Sequence, residues 1–447
     1  MNAPKLGAAL EEISNSLWFI PAVSVLASLL LAVVLTRVQL PADSFLGGIV
    51  FGGGVDGARG MLQAVAGSVI TVTSLTFSLT VVTLQLASSQ FSPRLLRTFL
   101  RDRGNQVVLA VFLSTFAYSL TVLRTIRAGD DTAPEFVPHL AVSVAFLLAL
   151  ASVAALVYFI DHITTEIRVD TMMSDVEADT LGTIDRIHPA DPEHDQTGSA
   201  PASRPPVGAV AVPALRSGFL ATVSPQPLVV LGAEHDLVFE FDPRVGDAVI
   251  QGGPLVWCWP ADASGTRPDA ADLVDAVNAA ASVAFERTLQ EDVGYGLRQL
   301  VDIAVKALSP GVNDPTTAVH SLGRLSSLLR RLAERPVEPF VGRDDDGTVR
   351  VVVRRREFDA LLSGVCGEIR RYGCAEPTVM TSLLQLLRDV GDGARGQRRR
   401  EAVRTEIELV ARAAGRSVDE PADLAEVTAA ADTARRAVDG DRRPGPR

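Results

Sequence analysis

The alternation of apolar and polar stretches divides the chain in two. Four runs over about 17–36, 61–90, 106–123 and 136–160 carry almost no charge. A helix rising about 1.5 Å per residue over runs of this length spans an apolar layer of about 30 Å. Four transmembrane helices are therefore predicted. Beyond residue 160 the runs become short and broken, as expected of a water-soluble part.

The second run is the most unusual. From residue 61 to 93 no charged residue occurs. As a helix it would reach on the order of 50 Å, so it must tilt or project beyond the lipid. It is rich in hydroxyls, and steps of about 100° per residue sort them onto faces. Thr71, Ser74, Ser78, Gln85 and Ser89 share one stripe, and Thr73, Thr76, Thr80 and Thr83 the opposite one. One reading is close helix packing through small hydroxyl residues. The other is a polar path between subunits, in which the hydroxyls replace waters of hydration. The second reading requires a homo-oligomer, because four spans leave little room for a path within one chain.

Charge at the run ends sets the orientation. Arg94, Arg97 and Arg101 recur at helical spacing and Arg103 follows. They form either a solvated basic loop on the cytoplasmic side or an interfacial helix touching lipid headgroups. With this loop inside, both termini are cytoplasmic. The loops then outside still carry Arg37, Arg59, Arg124 and Arg127. The glycines of 37–60 favour a loop, and no βαβ context makes them a nucleotide fingerprint. His139, near the start of the fourth run, is expected at the interface.

The predicted domains are a transmembrane domain over 1–168, a stalk and proline-rich linker over 169–206, a small β module over 207–260, a helical domain over 270–415 and a flexible tail over 416–447. The β module is read from VGAVAVPALRSGFLATV, PLVVLG, DLVFEFDP and GGPLVWCWP, β-branched runs broken by Gly, Pro and Asp. Within it, RVGDAVIQGGPLVWCW resembles the strand–turn–strand of biotinyl and lipoyl carrier domains. No lysine occurs in 207–260, so a carrier is rejected. LVDAVNAAASVAFERTL and YGLRQLVDIAVKAL have helical period, and TVRVVVRRREF suggests a strand pair inside 341–357. The fold class is thus an α-helical membrane domain of four transmembrane helices, followed by a cytoplasmic α+β part.

The formal net charge of −11 argues against a nucleic-acid partner. The three cysteines lie in the soluble part without a CxxC, which argues against a disulfide scaffold or a zinc site. No metal or cofactor is expected. Asp314 followed by Pro315 has the pattern of a helix N-cap. Asn313, Asp314, Thr316, Thr317 and His320 form a candidate ligand pocket, while a sharp turn explains the same residues. Glu286, Arg287, Asp292, Arg298 and Arg324 are charged groups of the same region, able to line a pocket or to form buried ion pairs. No nucleophile elbow, HExxH or Walker A pattern occurs, so no catalytic residue is assigned.

FSLTVVTLQLASSQFSPRLLRTFLRDRGNQVVLAVFLSTFAYSLTVLRTIR, FVPHLAVSVAFLLALASVAALVYFIDHI and GLRQLVDIAVKALSPGVNDPTTAVHSLGRL together resemble a bacterial family of predicted membrane proteins, the domain-of-unknown-function 2254 family. The resemblance covers roughly 16–335. It implies an inner-membrane protein with a cytoplasmic C-terminal part and transfers no activity. Two functions compete. The first is a homo-oligomeric channel- or transporter-like protein in the lipid bilayer, with a cytoplasmic regulatory domain. The second is a membrane-anchored module that binds a small ligand or partner.

Overall fold

The computed structural model describes residues 18–38, 51–90, 103–128, 135–166, 168–189, 205–262 and 267–440. Arg94, Arg97 and Arg101 lie outside the described residues, as does the linker stretch 190–204. The chain divides into two compact units, 1–171 and 172–447.

The first unit contains helices α1 (Phe19–Arg37), α2 (Val55–Gln90), α3 (Arg103–Thr125) and α4 (His139–Glu166). All four are long and apolar enough to cross a membrane. α3 is the most enclosed, with α1, α2 and α4 packed against it. Its own sequence explains this place. It carries Asn105, Gln106, Thr115 and Ser119, all buried, and polar groups at membrane depth are kept from lipid by neighbouring helices. The Tyr118 hydroxyl donates to the Ala141 carbonyl at 3.0 Å, and Ser152 donates to Thr115 Oγ1 at 3.1 Å.

α2 begins at Val55, inside the glycine-rich segment expected to be a loop. The apolar period outweighs the glycines, since Val55, Ala58, Leu62, Val65 and Val69 are all buried along one stripe. His139 is structural: its Nδ1 lies 2.7 Å from the Phe51 carbonyl oxygen, and Phe51 N–H donates to the Ser143 hydroxyl at 2.7 Å.

The second unit takes in most of α5 (Val169–Ile187). α5 is no bare stalk, because its Met173, Val176, Thr180 and Ile184 are buried. The approach to α8 (Val293–Ala307) is close: a β carbon on Gly296 would stand 2.0 Å from Thr180 Oγ1. Next come β1 (Val210–Pro213), β2 (Gly218–Val223), α6 (Gln226–His235), β3 (Leu237–Phe241), β4 (Ala248–Val249) and β5 (Pro254–Pro260). The run PLVVLG, expected as a strand, lies in helix α6. Leu228, Val229 and Gly232 are buried at helical spacing there, and proline at the helix start is compatible with that state.

α7 (Ala270–Ala280) stops short of its expected end, and β6 (Ala281–Ala284) pairs with β2. Beyond α8 lie α9 (Pro315–Ala333), then the hairpin of β7 (Phe340–Arg343) and β8 (Val349–Val353). β8 joins β3 in parallel, Phe239 opposite Val351, so the larger sheet has the order β1-β5-β3-β8-β7. The smaller sheet has the order β4-β2-β6. The strands of 207–260 therefore complete their sheets with strands from 281–353. Leu220, Leu228, Phe239, Phe241, Leu255 and Val277 form part of the core beneath.

The helices α10 (Phe358–Gly373), α11 (Pro377–Gly393), α12 (Gln397–Ser417) and α13 (Pro421–Asp439) close the second unit. The flexible tail expected over 416–447 is corrected for most of its length. Val427, Ala431, Ala434 and Val438 recur every three or four residues and are buried, so α13 is packed.

Candidate functional site

Two features have functional potential. The first is the polar face of α2. Thr73, Thr76 and Thr83 are buried within the first unit, whereas Thr71, Ser74, Ser78 and Gln85 are exposed. The hydroxyls of Thr71 and Ser74 donate to carbonyls of their own helix, at Gly67 (2.8 Å) and Ile70 (3.0 Å). Such back-bonding satisfies the donor and leaves hydroxyl lone pairs facing outward. Gln85 is exposed on the same face, and its carboxamide carries two donors and an acceptor. Ser89 lies in α2, its side chain outside the described residues. Arg103 opens α3 and is exposed.

The expected pocket around Asp314 is arranged as a turn. Asn313 has a left-handed φ of 50°. Asp314 caps α9, accepting from Thr317 N–H at 3.1 Å and from the Thr317 hydroxyl at 2.6 Å. The Thr317 hydroxyl is also the leading reason its carboxyl is held below the usual range. Thr316 and His320 are exposed on the first turns of α9.

The second feature is a cavity of about 260 Å³ whose polar lining comes from three distant pieces of chain. The end of α5 supplies Arg186, Ile187 and His188, and the start of α8 supplies Glu291, Asp292 and Gly294. The third piece is the exit of β8. Val351, Val352 and Val353 are buried in the sheet, so the next three residues, Arg354, Arg355 and Arg356, emerge together at its edge, each half-buried.

Ion pairs and hydrogen bonds hold these groups in place. Arg354 pairs with Glu240, Arg356 with Asp247, and Arg186 donates to the Gln290 carbonyl. Arg355 donates to the Ile187 carbonyl at 2.7 Å. Asp292 caps α8 through Tyr295 N–H at 3.1 Å and bonds Arg287 Nε at 2.8 Å. Burial pushes its carboxyl up, and Arg287 opposes that shift. Burial also raises Glu291, which accepts from Val223 N–H at 3.1 Å. His188 is buried, with Nδ1 3.1 Å from the Pro336 carbonyl oxygen. Desolvation, then the Arg355 charge, push its pKa down to about 3, so it stands neutral among cations.

The sequence marks Asp292 only as a charged group and RRREF only as part of a strand pair. The available signal was three consecutive arginines closing a buried strand.

Four apolar helices followed by a mixed helical and sheet unit define a helical membrane protein with a sizeable α+β part. The chain belongs to the family described as predicted membrane protein, DUF2254, whose match covers residues 14–389. It is similar to an uncharacterised protein of Mycobacterium tuberculosis and to one of Mycobacterium bovis, each 41% identical over 440 residues, covering 98% of this chain and 83% of the relative. No solved structure matches it.

Proposed function

We propose that the protein is a homo-oligomeric channel- or transporter-like protein of the bacterial inner membrane, with cytoplasmic termini and a cytoplasmic regulatory domain. The observation that carries this reading is the outward face of α2. Thr71, Ser74, Ser78 and Gln85 point away from the spans that bury Thr73, Thr76 and Thr83. Lipid offers no donor to the outward lone pairs of these hydroxyls and no partner to the Gln85 carboxamide, while a second copy of the same face offers both. Subunits arranged around that face give a hydroxyl-lined path. The arginine-lined cavity supports a regulatory role for the second unit.

Flux of ions and small solutes from proteoliposomes tests the reading. Wild-type protein is expected to pass a solute that a Ser74→Leu, Ser78→Leu variant of equal stability does not. Equal flux from both, or none under any gradient, contradicts conduction.

A further inference from the structure

We infer that the cavity between the end of α5, the start of α8 and the exit of β8 binds a phosphate monoester, an organic molecule with a terminal phosphate and an apolar body. The inference rests on the regulatory, ligand-binding part of the proposed function and is independent of conduction.

Three features converge on this chemistry. The first is cation density. Arg186, Arg354, Arg355 and Arg356 line one small cavity in a chain of net charge −11. A guanidinium has five N–H donors in a fixed fork, so an arginine held by one partner can also meet an oxyanion. Arg356 is anchored in this way, its Nη2 holding Asp247.

The second is the start of α8. One of its first-turn N–H groups, that of Tyr295, is taken by the Asp292 cap; the others have no helical carbonyl to bond and favour anions. Gly294 stands in that turn at the cavity wall. A β carbon there would lie 3.2 Å from Asp292 Oδ1 and 3.3 Å from Arg356 Cδ, so glycine keeps this corner open. The nearby carboxyls do not exclude an anion. Asp292 is matched by Arg287 and occupied by its cap, and Glu291 accepts from Val223 N–H.

The third is the remaining wall. Val223, Val245, Phe340, Val353 and Leu361 are apolar and suit a hydrocarbon or ring attached to the anion. Inorganic phosphate alone would leave that wall unused.

The test uses the full chain in phosphatidylcholine nanodiscs, with phenyl phosphate as probe, inorganic phosphate as competitor and benzyl alcohol as neutral control. Calorimetry is expected to show one phenyl phosphate per chain, displaced by inorganic phosphate, and no benzyl alcohol. Bound phenyl phosphate should also shield Arg354, Arg355 and Arg356 from phenylglyoxal, read by mass spectrometry. Arg355→Gln and Arg356→Gln should each weaken binding about tenfold or more. If either variant fails to fold, Gly294→Ala keeps every charge and should weaken binding by closing the corner. Loss of the probe's binding in nanodiscs containing phosphatidic acid upholds the same chemistry and identifies a lipid headgroup as its source. Equal binding of phenyl phosphate and benzyl alcohol overturns the inference, as does binding without arginine protection or no binding at all. Binding that leaves solute flux unchanged upholds the site and contradicts the regulatory reading instead.

Discussion

The backbone of Gly246 lies against the carboxylate of Asp292: a β carbon built on Gly246 would stand 2.0 Å from Asp292 Oδ2. Gly246 sits at φ +88°, in the left-handed region. Its N–H donates to the Leu220 carbonyl at 2.8 Å, so the turn cannot easily retreat. The turn therefore fixes the residue that both caps α8 and binds Arg287. Gly246→Ala is predicted to destabilise by about 2–4 kcal/mol, combining backbone strain, a displaced cap and a disturbed ion pair. Gly252, at φ +80° with open space around it, is the control, and Gly252→Ala should cost only about 1 kcal/mol. Thermal melts of the two variants in detergent decide the matter; equal losses would show that strain alone acts at Gly246.

Acid should act through His188. Its folded pKa, about 3, lies below the ordinary value of 6.5. The unfolded chain therefore binds the proton first, and this contribution to stability is present above pH 6.5 and lost as pH falls toward 3. The slope approaches ~1.4 kcal/mol per pH unit inside that window. Glu291 and Asp292 have raised values and act in the opposite sense, favouring the fold at low pH and losing that contribution as pH rises. The informative quantity is the difference between wild type and His188→Asn, which keeps a donor for the Pro336 carbonyl. Wild type should lose more stability than the variant between pH 6.5 and 4.5. Parallel pH profiles would contradict the assignment.

The cysteines should differ sharply in reactivity. Cys258 and Cys366 are buried, and burial pushes the Cys258 thiol up to about 12 and raises Cys366 as well. Cys374 is half-exposed near the end of α10. Maleimide at neutral pH is predicted to label Cys374 in the folded protein and all three in denaturant. Rapid labelling of Cys258 without denaturant would mean that the sheet core opens.

The four spans were legible because an uncharged run of sufficient length has few alternatives. The two faces of α2 were also legible as separate stripes. Which stripe faces inward was not, since Thr73 and Thr71 are chemically alike and only the neighbouring helices distinguish them. PLVVLG and the segment 281–284 were misassigned because short apolar runs fit either period, and pairing with β2 or packing under the sheet decides between them. The arginine-lined cavity was not legible. Its residues lie near 187, 292 and 355, and the parallel pairing of β3 with β8 that helps gather them leaves no local signature.

Disulfide trapping across α2 tests the central claim most directly. Ser78→Cys would be placed in a background with all three native cysteines replaced by serine, and oxidised in native membranes. Leu147→Cys, exposed on α4, is the control. If α2 faces a second copy of itself, Ser78→Cys gives covalent dimers at high yield and Leu147→Cys does not. Dimers from Leu147→Cys alone, or from neither, would contradict a homo-oligomer built around the Thr71–Ser74–Ser78–Gln85 face.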